Sequence, residues 1–158
     1  MNRSKKLSLP NREGWLDLVT LDLNQQHRPD VVFDLNIPSL PFRDESADEI
    51  HAYDVLEHCG RQGDWKFFFD QFTDFHRVLK PDGTLHAICP SWKSMWAWGD
   101  PSHTRVLTQG SLVFLMQDSY KTVGVSPMSD FRFCYKVDFA PVVVHDDEDR
   151  FYFILRKK

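Results

Sequence analysis

The chain has 158 residues, 42% of them hydrophobic and 14% aromatic, with a formal net charge of −4. This suits one globular α/β domain spanning residues 1–158, with large rings supplying much of its core. The acidic balance argues against a dedicated nucleic-acid binder, and no run approaches the ~18 apolar residues of a membrane span.

Residues 5–9 are a marginal strand, stopped by Pro10 and Asn11. A better strand covers 16–22 and ends in Asp22; the connector 24–29 is too short for a crossover helix. Val31, Val32 and Phe33 form the next strand, ending at Asp34, and Pro38 and Pro41 break the loop that follows. A strand over 49–53 ends at Asp54. From Asp64 to Leu79, Trp65, Phe68, Phe69, Phe72, Phe75 and Leu79 recur at the spacing of one buried helix face, with Asp64 as its cap. Pro81, Asp82 and Gly83 stop that helix and lead into a strand over 84–89.

Residues 91–103 read as irregular, with Trp92, Trp96 and Trp98 expected to cap the sheet. Thr108 is expected to cap a second helix carrying Leu112, Phe114, Leu115 and Met116. Two late strands, 132–140 and 150–155, form an antiparallel pair joined by a loop over 145–149. The acids of that loop lack the glycine-bearing spacing of a cation site and read as a solvated turn. Cys59, Cys89 and Cys134 match neither a zinc spacing nor a disulfide framework, so no metal is expected and a reducing compartment is. The segment MNRSKKLSLPNR lacks the apolar stretch of a signal peptide, and the expected location is cytoplasmic.

Strand, crossover helix, strand is a right-handed parallel unit, and in such sheets ligands bind beyond the carboxyl ends of the strands. Asp22, Asp34 and Asp54 all fall at such ends. His58, just past the third, is of the residue type suited to a general base. His103, in the polar run Gly99-Asp100-Pro101-Ser102-His103-Thr104-Arg105, is the second catalytic candidate. No nucleophile elbow, phosphate-binding loop or zinc-protease helix occurs, which leaves hydrolase and kinase readings without support.

Five pieces stand in a telling order: Asp34-Leu35, Leu40-Pro41-Phe42, Asp44-x-Ser46-x-Asp48-Glu49-Ile50, Val55-Leu56-Glu57-His58 and Arg77-Val78-Leu79-Lys80-Pro81-Asp82-Gly83. Together they resemble the small class I S-adenosylmethionine-dependent methyltransferases of type 11. Asp82 replaces the first glycine of the last motif. The resemblance implies a trimmed Rossmann-like fold, a mainly parallel twisted sheet ending in the antiparallel pair. It also implies S-adenosylmethionine as cofactor and methyl transfer to a small-molecule substrate. By position, Asp22 would accept from the ribose hydroxyls and Asp34 from the adenine amino group, with the Leu35 backbone beside the ring. Asp54 or its carbonyl would face the methionine ammonium, with Tyr53 adjoining.

The family's glycine-rich loop should fall between Leu9 and Gly14, where this chain reads Leu9-Pro10-Asn11-Arg12-Glu13-Gly14. A side chain at such a loop obstructs the approach of backbone to ligand. Two functions follow: a methyltransferase holding its cofactor in an altered way, or a non-catalytic relative kept as a binding or assembly module. The missing crossover helices leave apolar sheet surface, in a chain with 13 Phe and 5 Trp. A homodimer covers such a surface most simply. Light scattering at micromolar concentration should then read the mass of two chains, and the mass of one chain would dismiss the dimer.

Overall fold

The computed structural model describes residues 18–37 and 39–158. The strand expected over 5–9 and the loop from Leu9 to Gly14 lie outside the described residues. The chain divides into two compact units, Met1–Ile37 and Pro38–Lys158.

In the first unit, strands β1 (Leu21–Asp22) and β2 (Val31–Val32) pair in parallel, Leu21 opposite Val31 and Asp22 opposite Val32. Leu18, Val19 and Thr20 fall outside β1, shorter than the sequence pattern suggested. Parallel neighbours ordinarily need a crossover of a dozen or more residues. Here a single 3₁₀ turn, Gln25–His27, does the work, started by the Asn24 side chain and left through Arg28 at φ +50°. A polar lock brings the ends of the crossover together: the Thr20 amide and hydroxyl donate to Asp30 Oδ2 at 2.8 and 2.6 Å.

The second unit holds β3 (Ala47–Tyr53), helix α1 (Trp65–Val78), β4 (Leu79–Pro90), the short helices α2 (Met95–Gly99) and α3 (Gln109–Val113), then β5 (Phe139–Asp146) and β6 (Arg150–Lys157). Its sheet has the order β3-β4-β6-β5. The β3–β4 pair is parallel, whereas β4–β6 and β5–β6 are antiparallel. Among the described residues no helix is long and apolar enough to cross a membrane.

Helix α1 forms where its periodicity placed it. The Asp64 carboxylate accepts from the Phe67 amide at 3.0 Å, satisfying one of the donors a helix start leaves unpaired, and Arg77 complements the dipole at the other end. Phe69, Phe72 and Phe75 are buried and Phe68 is half-buried; they pack with Leu85, Ala87, Phe153 and Leu155 of the central strands. Leu79 turns extended, and Asp82 takes a left-handed conformation at φ +61° where the family pattern carries glycine. The adjoining Gly83 is obligatory on packing grounds, since a Cβ there would lie 2.8 Å from the Lys80 carbonyl oxygen.

Side chains alternate across the sheet, so the residues between those core positions line its other face. There His51 stacks on His86 with ring centroids 4.5 Å apart. His51 Nε2–H donates to Glu49 Oε2 at 2.9 Å, and its Nδ1 accepts from the Tyr53 hydroxyl. His86 Nε2 meets the Thr84 hydroxyl at 3.0 Å. Burial, and then the neighbouring His51, lower the His86 pKa to about 4.

Three expectations need correction. The first late strand begins at Phe139, not 132, because 131–135 folds as a turn: the amides of Cys134 and Tyr135 both donate to the Phe131 carbonyl. The rings of Phe131 and Tyr135 thereby reach Phe69 of α1. The run 91–103 is not wholly irregular, because Ser94 caps α2. Trp92, Trp96 and Trp98 do not cap the sheet; they are 50%, 62% and 68% exposed.

Phe72 is fully buried, so Phe72→Ala should cost about 3–5 kcal/mol in chemical denaturation, with a loss below about 1 kcal/mol contradicting its core role. The depressed His86 pKa has a second consequence. Between about pH 6.5 and about 4 the unfolded chain binds a proton that the folded chain refuses, so stability falls as pH drops through that window, by at most about 3 kcal/mol from this group. His86→Leu should flatten that part of the stability–pH curve; an unchanged curve would show that His86 does not govern it.

Candidate functional site

In the first unit the expected acids stand at their strand ends. Asp22 closes β1, and its carboxylate accepts from the Asn24 amide at 2.8 Å and from His27 Nδ1 at 2.9 Å. Burial alone would raise its pKa, but the His27 hydrogen bond, the Asn24 amide and the His27 charge outweigh it and the net shift is downward. Asp34 lies two residues past β2, and its Oδ1 accepts from the Asn36 amide at 2.9 Å and from Asn36 Nδ2 at 3.0 Å. Leu35 follows it, half-buried, in the same turn.

In the second unit, Tyr53 ends β3, and the Asp54 amide adds one more bond toward β4 by donating to the Ile88 carbonyl at 2.9 Å. Asp54 then takes φ +52°, which turns the chain out of the sheet, and its carboxylate pairs with Arg150 at the start of β6. A 3₁₀ turn, Leu56–His58, follows, with Leu56 and Glu57 buried.

That turn is tied down from two sides. The Glu57 carbonyl accepts from the Thr104 amide at 2.9 Å, the Thr104 hydroxyl at 3.2 Å and the Arg105 amide at 3.3 Å. Arg105 is only 6% exposed; its Nε donates to the Leu56 carbonyl at 2.8 Å and its Nη2 to Gln71 Oε1 of α1 at 2.5 Å. Turn, helix and the 100–105 loop are thus one hydrogen-bonded assembly. Burial pulls the Arg105 pKa down and pushes the Glu57 carboxyl up. Sequence reading singled out neither Arg105 nor Glu57 as a site residue, since only the fold shows that these charged side chains are buried.

The assembly brings the two expected histidines together. His58 and His103 lie 45 positions apart in the chain, yet their ring centroids are 4.7 Å apart at 73°. His58 Nδ1 donates to the Ser102 carbonyl at 3.2 Å, and His103 Nδ1 to the Trp96 carbonyl at 2.9 Å. A carbonyl only accepts, so each neutral ring carries its proton on Nδ1 and presents a lone pair on Nε2. Beside them, Glu57 is 2% exposed, and among the described residues its carboxylate has neither a cation nor a well-placed backbone donor on it, with only the Cys89 thiol, a weak donor, close by. The buried Cys89 thiol lies close by, its pKa raised by burial and by the Glu57 charge. A cleft of about 230 Å³ adjoins Arg105, walled by Trp65, Phe68, Phe69, Phe114 and Phe131. It offers an apolar recess for a small organic molecule with one buried cation at its margin.

The mixed α/β architecture with an open sheet accords with the proteins this chain is similar to. A family model described as "Methyltransferase domain" matches residues 9–87, half of the chain. A SAM-dependent methyltransferase from Archaeoglobus fulgidus shares 13% identity at a TM-score of 0.52, over 87% of this chain and 74% of the other. A protein from Pyrococcus horikoshii shares 12% at a TM-score of 0.50, over 85% of this chain and 65% of its own. At these identities the structural likeness speaks to the fold. No curated protein matches the chain. By the family match and the sheet that accords with it, the chain belongs to the methyltransferase domain family.

Proposed function

We propose that the protein is an S-adenosylmethionine-dependent methyltransferase acting on a small-molecule acceptor. The family match over residues 9–87 carries this reading, because that segment contains the strand-end acids that such a cofactor requires. The donor set fits the group. S-adenosylmethionine presents two ribose hydroxyls, an adenine amino group and an ammonium, all hydrogen-bond donors, and carboxylates are acceptors for each. Asp22, held ionised by His27 and Asn24, is assigned to the ribose. Asp34 is assigned to the adenine amino group, with the Leu35 backbone at the ring. Tyr53 and Asp54, the latter through its carboxylate or its carbonyl, are assigned to the methionine end.

When bound, the cofactor supplies an electrophilic methyl group on a sulfonium. The chain's own residues have three tasks: to hold the acceptor, to exclude water and to handle the acceptor's proton. The aromatic walls of the cleft beside Arg105 suit the first. His58 and His103, the catalytic candidates, suit the third, because both present Nε2 lone pairs.

Isothermal titration of the full chain with S-adenosylmethionine, and separately with its demethylated product, tests the cofactor assignment. Saturable binding below millimolar concentration is expected. Asp34→Ala should weaken it about tenfold or more, the usual cost of removing a charged hydrogen-bond acceptor. Folded protein that binds neither compound at millimolar concentration would end the proposal.

A further inference from the structure

Glu57 poses a problem of charge. A carboxylate buried to this degree is ordinarily paired or well hydrogen-bonded, yet among the described residues Oε1 and Oε2 meet no cation and no well-placed N–H donor, and the neighbouring Cys89 thiol is only a weak donor. The buried cation nearby, Arg105, gives its Nε and Nη2 hydrogen bonds to the Leu56 carbonyl and to Gln71 rather than to Glu57. Meanwhile His58 and His103 converge on the same spot. One ligand-type atom from each of Glu57, His58 and His103 lies within 4.8 Å of the others.

We propose that Glu57, His58 and His103 bind a divalent metal ion of the zinc class. The rings are prepared for it: a metal-binding histidine characteristically donates its other ring N–H to a carbonyl or carboxylate, which fixes tautomer and orientation. Both Nδ1 atoms do so here, to the Ser102 and Trp96 carbonyls. The two segments that carry the ligands are clasped by the three hydrogen bonds from Thr104 and Arg105 to the Glu57 carbonyl, so the ligand set does not depend on a mobile loop closing. The Asp100 carboxylate, 3.8 Å from His103 Nε2, adds negative charge at the rim.

Two imidazoles with one carboxylate favour zinc and its transition-metal neighbours over calcium or magnesium. Zinc–ligand distances of about 2.0–2.2 Å would draw the three side chains closer together. Three protein ligands leave a fourth position for water or another oxygen, the arrangement of reactive rather than purely structural zinc sites. With the ion in place the two rings act as ligands, and acidifying a bound oxygen becomes the ion's role.

The second such group, Glu49, His51 and His86, carries no equivalent claim. Both His51 nitrogens are engaged, by Glu49 and Tyr53, and His86 Nε2 by Thr84; His86 Nδ1 has no hydrogen-bond partner, but one open nitrogen beside a fully engaged His51 and a Glu49 already bonded to it does not make a ligand set.

The test is metal titration of the chelator-stripped full chain without cofactor, so its outcome is independent of the methyl-transfer reading. Zinc binding is followed by calorimetry, and cobalt(II) serves as a spectroscopic stand-in for the ligand field. One ion per chain is expected, with a dissociation constant at or below the micromolar range. His58→Ala, at an exposed ring, and His103→Ala should each weaken binding at least tenfold, whereas His145→Ala, outside this ligand set, should not. A melting temperature raised by zinc in the wild type and unmoved in His58→Ala would support the site even if His103→Ala folds poorly. No saturable binding, or binding lost with His145 and retained without His58 and His103, would overturn it.

Discussion

One carbonyl oxygen organises the candidate site: that of Glu57, which receives the amides of Thr104 and Arg105 and the Thr104 hydroxyl. Through it, the turn leaving β3 and the loop arriving at α3 are held side by side although they are 47 residues apart. Arg105 completes the clasp from below by bonding the Leu56 carbonyl and Gln71 of α1. Together with the His58 hydrogen bond to the Ser102 carbonyl, this clasp holds His103 near His58.

The clasp depends in turn on the aromatic face of α1. Phe69, Phe72 and Phe75 fix the helix against the strands, and Gln71, on the same helix, is thereby placed to receive Arg105. Close packing of large rings makes this part stiff, which suits a site whose ligand atoms must converge without reorganisation. The left-handed conformations of Asp54 and Asp82 sit at the two ends of this architecture. Asp54 turns the chain out of β3, and Asp82 sits inside β4 where its register against β3 shifts between Leu79 and Thr84, each at the modest strain that aspartate tolerates better than most residues.

Local chemistry made some of this legible in advance. Helix α1 could be read to within a residue because its 3.6 periodicity, its Asp64 cap and its exit toward Pro81 all agree. The acids ending β1, β2 and β3 were legible for a similar reason, as breaks in short apolar runs. What escaped reading was set by tertiary partners. The segment 132–138 has strand-like composition, but Phe131 and Tyr135 gain more by burying their rings against Phe69 than by pairing in a sheet. The tryptophans of 92–98 read as a cap over the sheet by residue type, yet Trp96 and Trp98 of α2 are exposed while Ala97 between them is buried. Glu57 and Arg105 looked like surface charges, and only contacts spanning dozens of residues bury them. His58 and His103 were each visible as candidates; their meeting was not.

A crystal structure with the demethylated cofactor bound would show whether the strand-end acids hold the methyl donor as proposed. The account requires the ribose hydroxyls to lie on the Asp22 carboxylate and the adenine amino group on Asp34. A structure in which the compound is absent at saturating concentration, or sits elsewhere while Asp22 and Asp34 keep only His27, Asn24 and Asn36 as partners, would contradict it.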